Sequence, residues 1–315
     1  MKRGLLLCFF GLLLIQIGFG QSWRRVGDWG NDYKSIKWVN TNVGFIGGEN
    51  ILLKSIDGGL SWVELKLPMR LDVMDLSFFD EQNGILLSEN GQIFKTINAG
   101  ISWTSPSYPA DLKLNKVLHV DENRLMISGE NGLVLRSVNA GQSWTVSNLP
   151  TEAIINKIFF VDPELGYAVS SNAEIFKTLN TGESWEKYDS GFDVSLNSLY
   201  FINDTIGYAV GDQGAIIKTE DGALNWQFIN SGIDTDLTDV VFNPSYPLIG
   251  VISGDGGTIL RTTNAGLTFI EVNPRSDQDI ESLSIRPNTN NVLGVASIGV
   301  VISSNNTGSS WSIRL

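Results

Sequence analysis

Apolar residues in this chain gather in short runs that recur in one order, separated by turn residues. One period opens with Asn156–Val161, turns at Asp162, Pro163 and Gly166, and resumes at Tyr167–Ser170. These runs predict an innermost and a second strand. A tight turn follows, as at Glu89-Asn90-Gly91 or Glu130-Asn131-Gly132, where the Asn-Gly pair predicts a type I′ hairpin. The third strand, for example Ile93–Lys95, completes the run. Apolar residues at consecutive positions fit sheets packed on both faces.

Each third strand leads into an eight-residue segment with a fixed polar pattern. The segments are Ser55–Trp62, Thr96–Trp103, Ser137–Trp144, Thr178–Trp185, Thr219–Trp226, Thr262–Phe269 and Ser304–Trp311. Their closing aromatics, Trp62, Trp103, Trp144, Trp185, Trp226, Phe269 and Trp311, are spaced by 41, 41, 41, 41, 43 and 42 residues. That period belongs to four-stranded propeller blades, so seven copies predict seven blades. The third position carries Asp57, Asn98, Asn139, Asn180, Asp221, Asn264 or Asn306, whose side chain can bond backbone N–H groups further on. The fifth is glycine, which accepts the positive φ that closes the turn. Ala223 takes that place in the fifth copy, which predicts either strain there or a shift of the strained position onto Gly222. The aromatic then starts a fourth strand and pins the turn against its own blade.

The pattern S/T-x-D/N-x-G-x-x-W is an Asp-box. With the surrounding order Leu199–Phe201, Gly207–Gly211 and Gly214–Thr219, the chain resembles the photosystem II stability/assembly factor family from Trp23 to Leu315. The resemblance implies an all-β, seven-bladed propeller of four-stranded antiparallel blades that binds a protein partner without catalysis. Its partner would be part of a membrane-protein complex under assembly. No photosystem role follows, and the family's partner-binding arginines have no residue-by-residue match here. Sialidases, xyloglucanases and sortilin-type receptors also carry Asp-boxes, so the box gives fold rather than function.

The N-terminus changes the expected compartment. Met1-Lys2-Arg3 is basic, Gly4–Ile17 is apolar apart from Gln16, and Gly18-Phe19-Gly20 offers small residues to a signal peptidase. This predicts a secretory signal over 1–20, a propeller over 21–315, and a secreted or periplasmic protein. Cys8, the one cysteine, lies within the signal, so the mature chain has no disulfide and no thiolate. Cleavage removes two of 22 basic residues and none of 34 acidic ones, which leaves a net charge of 20 − 34 = −14. An acidic surface argues against a nucleic-acid partner. About 295 residues remain, which one seven-bladed domain fills at this period. A monomer is expected. Trp23–Val26 resembles the strand after each box and makes an eighth copy, so one terminal copy is expected beside the other, closing the ring.

Three sets of polar residues are candidates for chemistry. The first lies at the start of the innermost strand: Ser35, Asp75, Lys116, Lys157, Ser198, Asp239 and Ser282. One per blade, they are expected to ring a mouth of the central channel, where Lys116 and Lys157 beside Asp75 suit an anion or a partner's carboxylate. The competing reading is a solvated ring whose charges pair internally. The second set, Glu49, Glu89, Glu130, Asp212 and Asp255, sits on the hairpins at that same mouth. Two carboxylates there would be needed for the alternative function, glycan binding or hydrolysis. The third is a basic series directly before six boxes, Lys54, Lys95, Arg136, Lys177, Lys218 and Arg261, broken by Ser303. It is expected at the opposite end, either attracting an acidic partner or capping its own boxes and covering their tryptophans.

Catalytic patterns are sparse. His119 is the only histidine and shares a column with Trp38, Phe78, Phe160, Phe201, Phe242 and Ile285, so it is read as a packed core ring. No phosphate loop, Ser-His pair or histidine metal motif is present in the sequence, and no cofactor or metal is predicted. Sialidase-type arginines and an Arg-Ile-Pro segment are missing too.

Overall fold

A computed structural model describes residues 31–109 and 112–314. The predicted signal 1–20 and the Trp23–Val26 copy lie outside the described residues. Seven antiparallel sheets, each contiguous in sequence, form a seven-bladed propeller. The first strands are Tyr33–Trp38, Val73–Phe78, Leu114–His119, Ile155–Phe160, Leu196–Phe201, Leu237–Asn243 and Ile280–Ile285. They pack side by side in chain order, and the first meets the last, so the ring closes around a central channel.

Six sheets have four strands; the second has three, Val73–Phe78, Gly84–Ser88 and Ile93–Thr96. Its fourth is reduced to one bridge, in which Lys95 and Thr104 exchange backbone hydrogen bonds of 2.7 and 2.8 Å. In the seventh blade the C-terminal copy, Ser312–Ile313, pairs with the third strand of its own blade. Every described fourth strand therefore belongs to the blade of the box it follows.

The core lies between blades. Each of the seven junctions has its own apolar cluster. Leu293, Val295 and Val301 of the seventh blade meet Tyr33, Ile36 and Ile46 of the first, for example. The second strands are buried at every residue in six blades and over the inner half of the sixth. The fused runs of apolar residues in the sequence reflect this two-sided burial.

All seven first strands carry a β-bulge after their first residue, for example between Tyr33 and Ser35 and between Leu237 and Asp239. A bulge sets two residues against one and re-aims the extra side chain. Here that residue reaches the next blade. Asn115 donates to Ile155 O at 3.1 Å, Asn156 to Leu196 O at 2.9 Å and Asn197 to Leu237 O at 3.0 Å. Thr238 donates likewise to Ile280 O. At the closing junction the two bulged residues, Lys34 and Glu281, form an ion pair of 3.0 Å.

The boxes adopt one geometry. In the first, Ser55 Oγ accepts from Gly59 N at 2.8 Å and Asp57 Oδ1 accepts from Ser61 N at 2.9 Å. The remaining boxes repeat both bonds. Fourth and fifth positions both have positive φ throughout. In the fifth box Gly222 is at 71° and Ala223 at 74°, so the strain stays on Ala223. Most other boxes place the non-glycine one residue earlier, as at Ala99, Ala140 and Thr181, so blade five has exchanged the two. Trp62, Trp144 and Trp311 are buried, whereas Trp103, Trp185, Trp226 and Phe269 are half-buried. The hairpin at Glu130 fits the expected type I′ turn, with Asn131 at φ 56°, Gly132 at 68° and Leu133 N donating to Glu130 O at 3.1 Å. The Glu89 hairpin differs: only Gly91 of its pair has positive φ, and its N–H donates to Ser88 O.

Candidate functional site

Half of the basic series holds blades together, and those three bases reach the next blade's box rather than their own. Arg136 Nε donates to Thr181 O at 2.9 Å, Lys177 Nζ to Gly222 O at 3.0 Å, and Arg261 Nε to Thr307 O at 2.7 Å. All three acceptors are the fourth residue of the following box, whose carbonyl the left-handed turn leaves without a ladder partner. Tyr208 serves the same carbonyl in the sixth box, donating to Ala265 O at 2.6 Å. Lys218 instead pairs with Glu220 at 2.5 Å, and Lys54 lies over the Phe45 ring, 5.4 Å from its centre. Lys95 is partly buried, and burial lowers its pKa. At the seventh blade, where Ser303 breaks the series, Arg286 takes over: its Nη1 donates to Gly58 O at 2.8 Å and joins blade seven to blade one.

The first candidate ring lies in the channel wall rather than on a solvated rim. Ser35, Asp75, Ser198 and Asp239 are buried, while Lys116, Lys157 and Ser282 are half-buried. Asp75 accepts from Ser35 Oγ at 2.6 Å and from Val117 N at 2.8 Å. Asp239 mirrors it, accepting from Ser198 Oγ at 2.7 Å and from Leu283 N at 3.0 Å, with Lys157 Nζ at 3.2 Å. Each aspartate thus ties three blades. Burial raises the Asp239 pKa, but Lys157 and these hydrogen bonds outweigh it and hold the carboxyl below its usual range. Lys157 is raised correspondingly: Asp239 and Asp75 overcome the effect of burial. Sequence reasoning missed Lys37, two residues beyond Ser35, whose side chain lines the same channel. Its column otherwise reads Ser77, Leu118, Phe159, Tyr200, Val241 and Ser284, so no uniform polar signal marked it.

Above the channel the mouth is acidic. A cleft of about 480 Å³ is lined by Asp32, Glu49, Asp72, Glu89 and Glu281, with Lys34, Lys116 and Met74 among the remaining residues. Five carboxylates face two ammoniums, a local balance of −3. Several aspartates here also serve neighbouring hairpins: Asp72 accepts from Asn50 N and Asp32 from Ile298 N, both at 2.9 Å. Asp236 and Asp279 likewise accept from Gln213 N and Gly256 N at 2.8 Å. Asp255 has its pKa raised, by burial first and then by Asp279, Asp236, Glu281 and Asp212.

His119 departs from the core ring expected of its column. It is half-buried, and its Nδ1 lies 2.8 Å from Ser77 Oγ. In the aromatic members of the column the ring lies over a glycine: a Cβ on Gly84 would fall 2.4 Å from Phe78, and one on Gly207 2.5 Å from Phe201. Leu125 faces His119 instead of glycine, so the imidazole has no such seat. That substitution was visible in the sequence. Burial, reinforced by Lys37, lowers the His119 pKa to about 4. The ring is neutral at pH 7, and among the described residues no group of three or more His, Cys, Asp or Glu is placed to hold a metal.

Comparison with known proteins places this geometry among relatives. No curated protein matches the chain. Solved structures of similar fold include "YCF48 bound to D1 peptide", 16% identical over 86% of this chain and 92% of that one, with a TM-score of 0.73. YCF48 from Cyanidioschyzon merolae is 13% identical over 88% and 96%, also at 0.73. The GH74 xyloglucanase from Xanthomonas campestris reaches 0.74 at 13% identity, but this chain spans only 54% of its length. These identities speak to fold alone. The family model described as photosynthesis system II assembly factor YCF48 matches residues 60–149 and 142–231, together more than half of the chain. With the boxes and blades described above, this chain belongs to the photosynthesis system II assembly factor YCF48 family.

Proposed function

We propose that this chain is a non-catalytic scaffold that binds a protein partner at the channel-mouth face, in the periplasm or outside the cell after removal of residues 1–20. The observation that carries the reading is the contrast between the two ends. At the box end Arg136, Lys177, Arg261 and Arg286 are committed to carbonyls of the next blade. At the mouth a cleft of about 480 Å³ presents five carboxylates, and the side chains of Glu49 and Glu89 among them, on turns, bond no described residue, which suits an extended segment bearing basic side chains. A YCF48 structure bound to a D1 peptide supports a protein partner, as does the family. A membrane-protein complex under assembly is the partner class that the family suggests.

The test is capture from membrane and envelope fractions. Glu49→Lys with Glu89→Lys should weaken capture, and raised salt should mimic the change because exposed charges are screened over about 8 Å at physiological ionic strength. Lys54→Glu with Lys95→Glu, at the box end, should leave capture intact. The reverse pattern would move the binding surface to the box end. Mass spectrometry of the exported protein checks the compartment: an intact 1–20 segment would reject cleavage.

One observation favours a second reading. Burial and four neighbouring acids raise the Asp255 pKa, which is the direction a glycosidase general acid requires. Release of reducing ends from xyloglucan, abolished in Asp255→Asn, would establish glycan hydrolysis in place of scaffolding.

A further inference from the structure

Six charged side chains meet in the channel below the acidic mouth. Lys37, Lys116, Lys157, Asp75 and Asp239, with Glu281 beside them, line one cavity of about 60 Å³. Three ammoniums face three carboxylates, but Glu281 is drawn off by Lys34, which lies outside the lining and pairs with it at 3.0 Å. The carboxylates are already engaged. Asp75 accepts from Ser35 and Val117, and Asp239 from Ser198, Leu283 and Lys157. Of the three ammoniums only Lys157 has an ion-pair partner, Asp239 at 3.2 Å. Lys37 and Lys116 make no hydrogen bond or ion pair with any described residue. Ser282 adds a hydroxyl to the lining.

Burying ammonium groups beside one another is costly unless a counter-charge joins them. The cost shows at Lys37, where burial and then Lys157, with a further contribution from Lys116, outweigh Asp75 and Asp239 and lower its pKa. A cavity needs roughly 10–15 Å³ of such volume to admit one water, so this one has room for a small ion but not for a folded peptide segment. Ammonium groups bind carboxylate and phosphate oxygens through short charge-assisted hydrogen bonds.

We propose that the central channel binds one small oxyanion, held by Lys37, Lys116 and Lys157. The site adjoins the partner cleft, sharing Lys116 and Glu281 with its lining, but does not rest on the partner reading. The anion supplies the counter-charge that Lys37 and Lys116 lack and cross-links blades one, three and four, which supply the three lysines.

Calorimetric titration of the full-length secreted chain with sodium acetate, and separately with inorganic phosphate, tests the site at constant ionic strength. The two probes distinguish a site for carboxylates from one for inorganic oxyanions. Saturable one-to-one binding of either is expected. Lys37→Met and Lys116→Met should each weaken it by about tenfold or more, as loss of a charge-assisted hydrogen bond does. Lys54→Met, at the box end, should bind like wild type. In anion-free buffer Lys37→Met should melt no lower than wild type, since it removes an unpaired charge. Absence of saturable binding by both anions, or equal binding by wild type and both channel variants, would overturn the proposal.

Discussion

Arg286 Nη1 donates to the carbonyl of Gly58 across 2.8 Å, linking residues 228 apart in sequence at the one junction that no continuous chain spans. Elsewhere the loop from one blade to the next limits how far neighbours can part. Between blades seven and one, side chains and packing carry the closure: the Arg286 bond, the Lys34–Glu281 pair, the Asp32–Ile298 bond and the cluster around Tyr33. Arg286→Met should therefore lower stability by about 1.5–3 kcal/mol, the range for a hydrogen bond to a charged group. Urea denaturation measures it, and a loss of only a few tenths would show that packing alone closes the ring.

The Lys157–Asp239 pair predicts a large cost and a pH signature. Asp239→Asn leaves the ammonium of Lys157 with one carboxylate fewer in a buried site, and should destabilise by about 3–5 kcal/mol. Because the folded pKa of Asp239 is depressed, its contribution is present at neutral pH and is lost as pH falls below the ordinary carboxylate value of about 3.9 toward the folded one. Wild type should thus lose stability more steeply than Asp239→Asn in that acid window. Parallel slopes would mean the carboxylate is not held ionised by its surroundings.

His119 makes a separate prediction at milder pH. With a folded pKa of about 4 against about 6.5 unfolded, the unfolded chain binds the extra proton between those values. Stability from this group is complete above about pH 6.5 and falls by about 3 kcal/mol on reaching pH 4. His119→Gln keeps a polar side chain beside Ser77 and should flatten stability across that interval. An NMR titration placing the imidazole pKa near 6.5 would contradict the burial that lowers it.

The box aromatics should differ by their burial. Trp144 is buried, so Trp144→Ala should cost about 3–5 kcal/mol, whereas Trp226→Ala, at a half-buried site, should cost less. Thermal melts of the two variants give the ordering. Equal melting temperatures would show that the ring does not pin its turn through burial.

The sequence by itself determined the local and repeated features: seven blades, the strand order within them, and the box turns. Each box closes through bonds spanning four residues, such as Ser55 to Gly59 and Asp57 to Ser61, so identity at fixed spacing suffices to specify it. Even Ala223 was legible as a strained site, though only the backbone showed that both Gly222 and Ala223 take positive φ. Tertiary structure decided where the charges act. The bases before the boxes could not be assigned to the next blade from sequence, because their acceptors lie 45 or 46 residues away across an angle set by how blades pack. The same holds for Asp75 and Asp239, which a bulge and two neighbouring blades bury, and for Lys37, which the channel gathers from a column otherwise mixed in character. Arg286 shows the limit most plainly: it replaces the base missing at Ser303 from a different strand end, and only the closed ring brings it to Gly58.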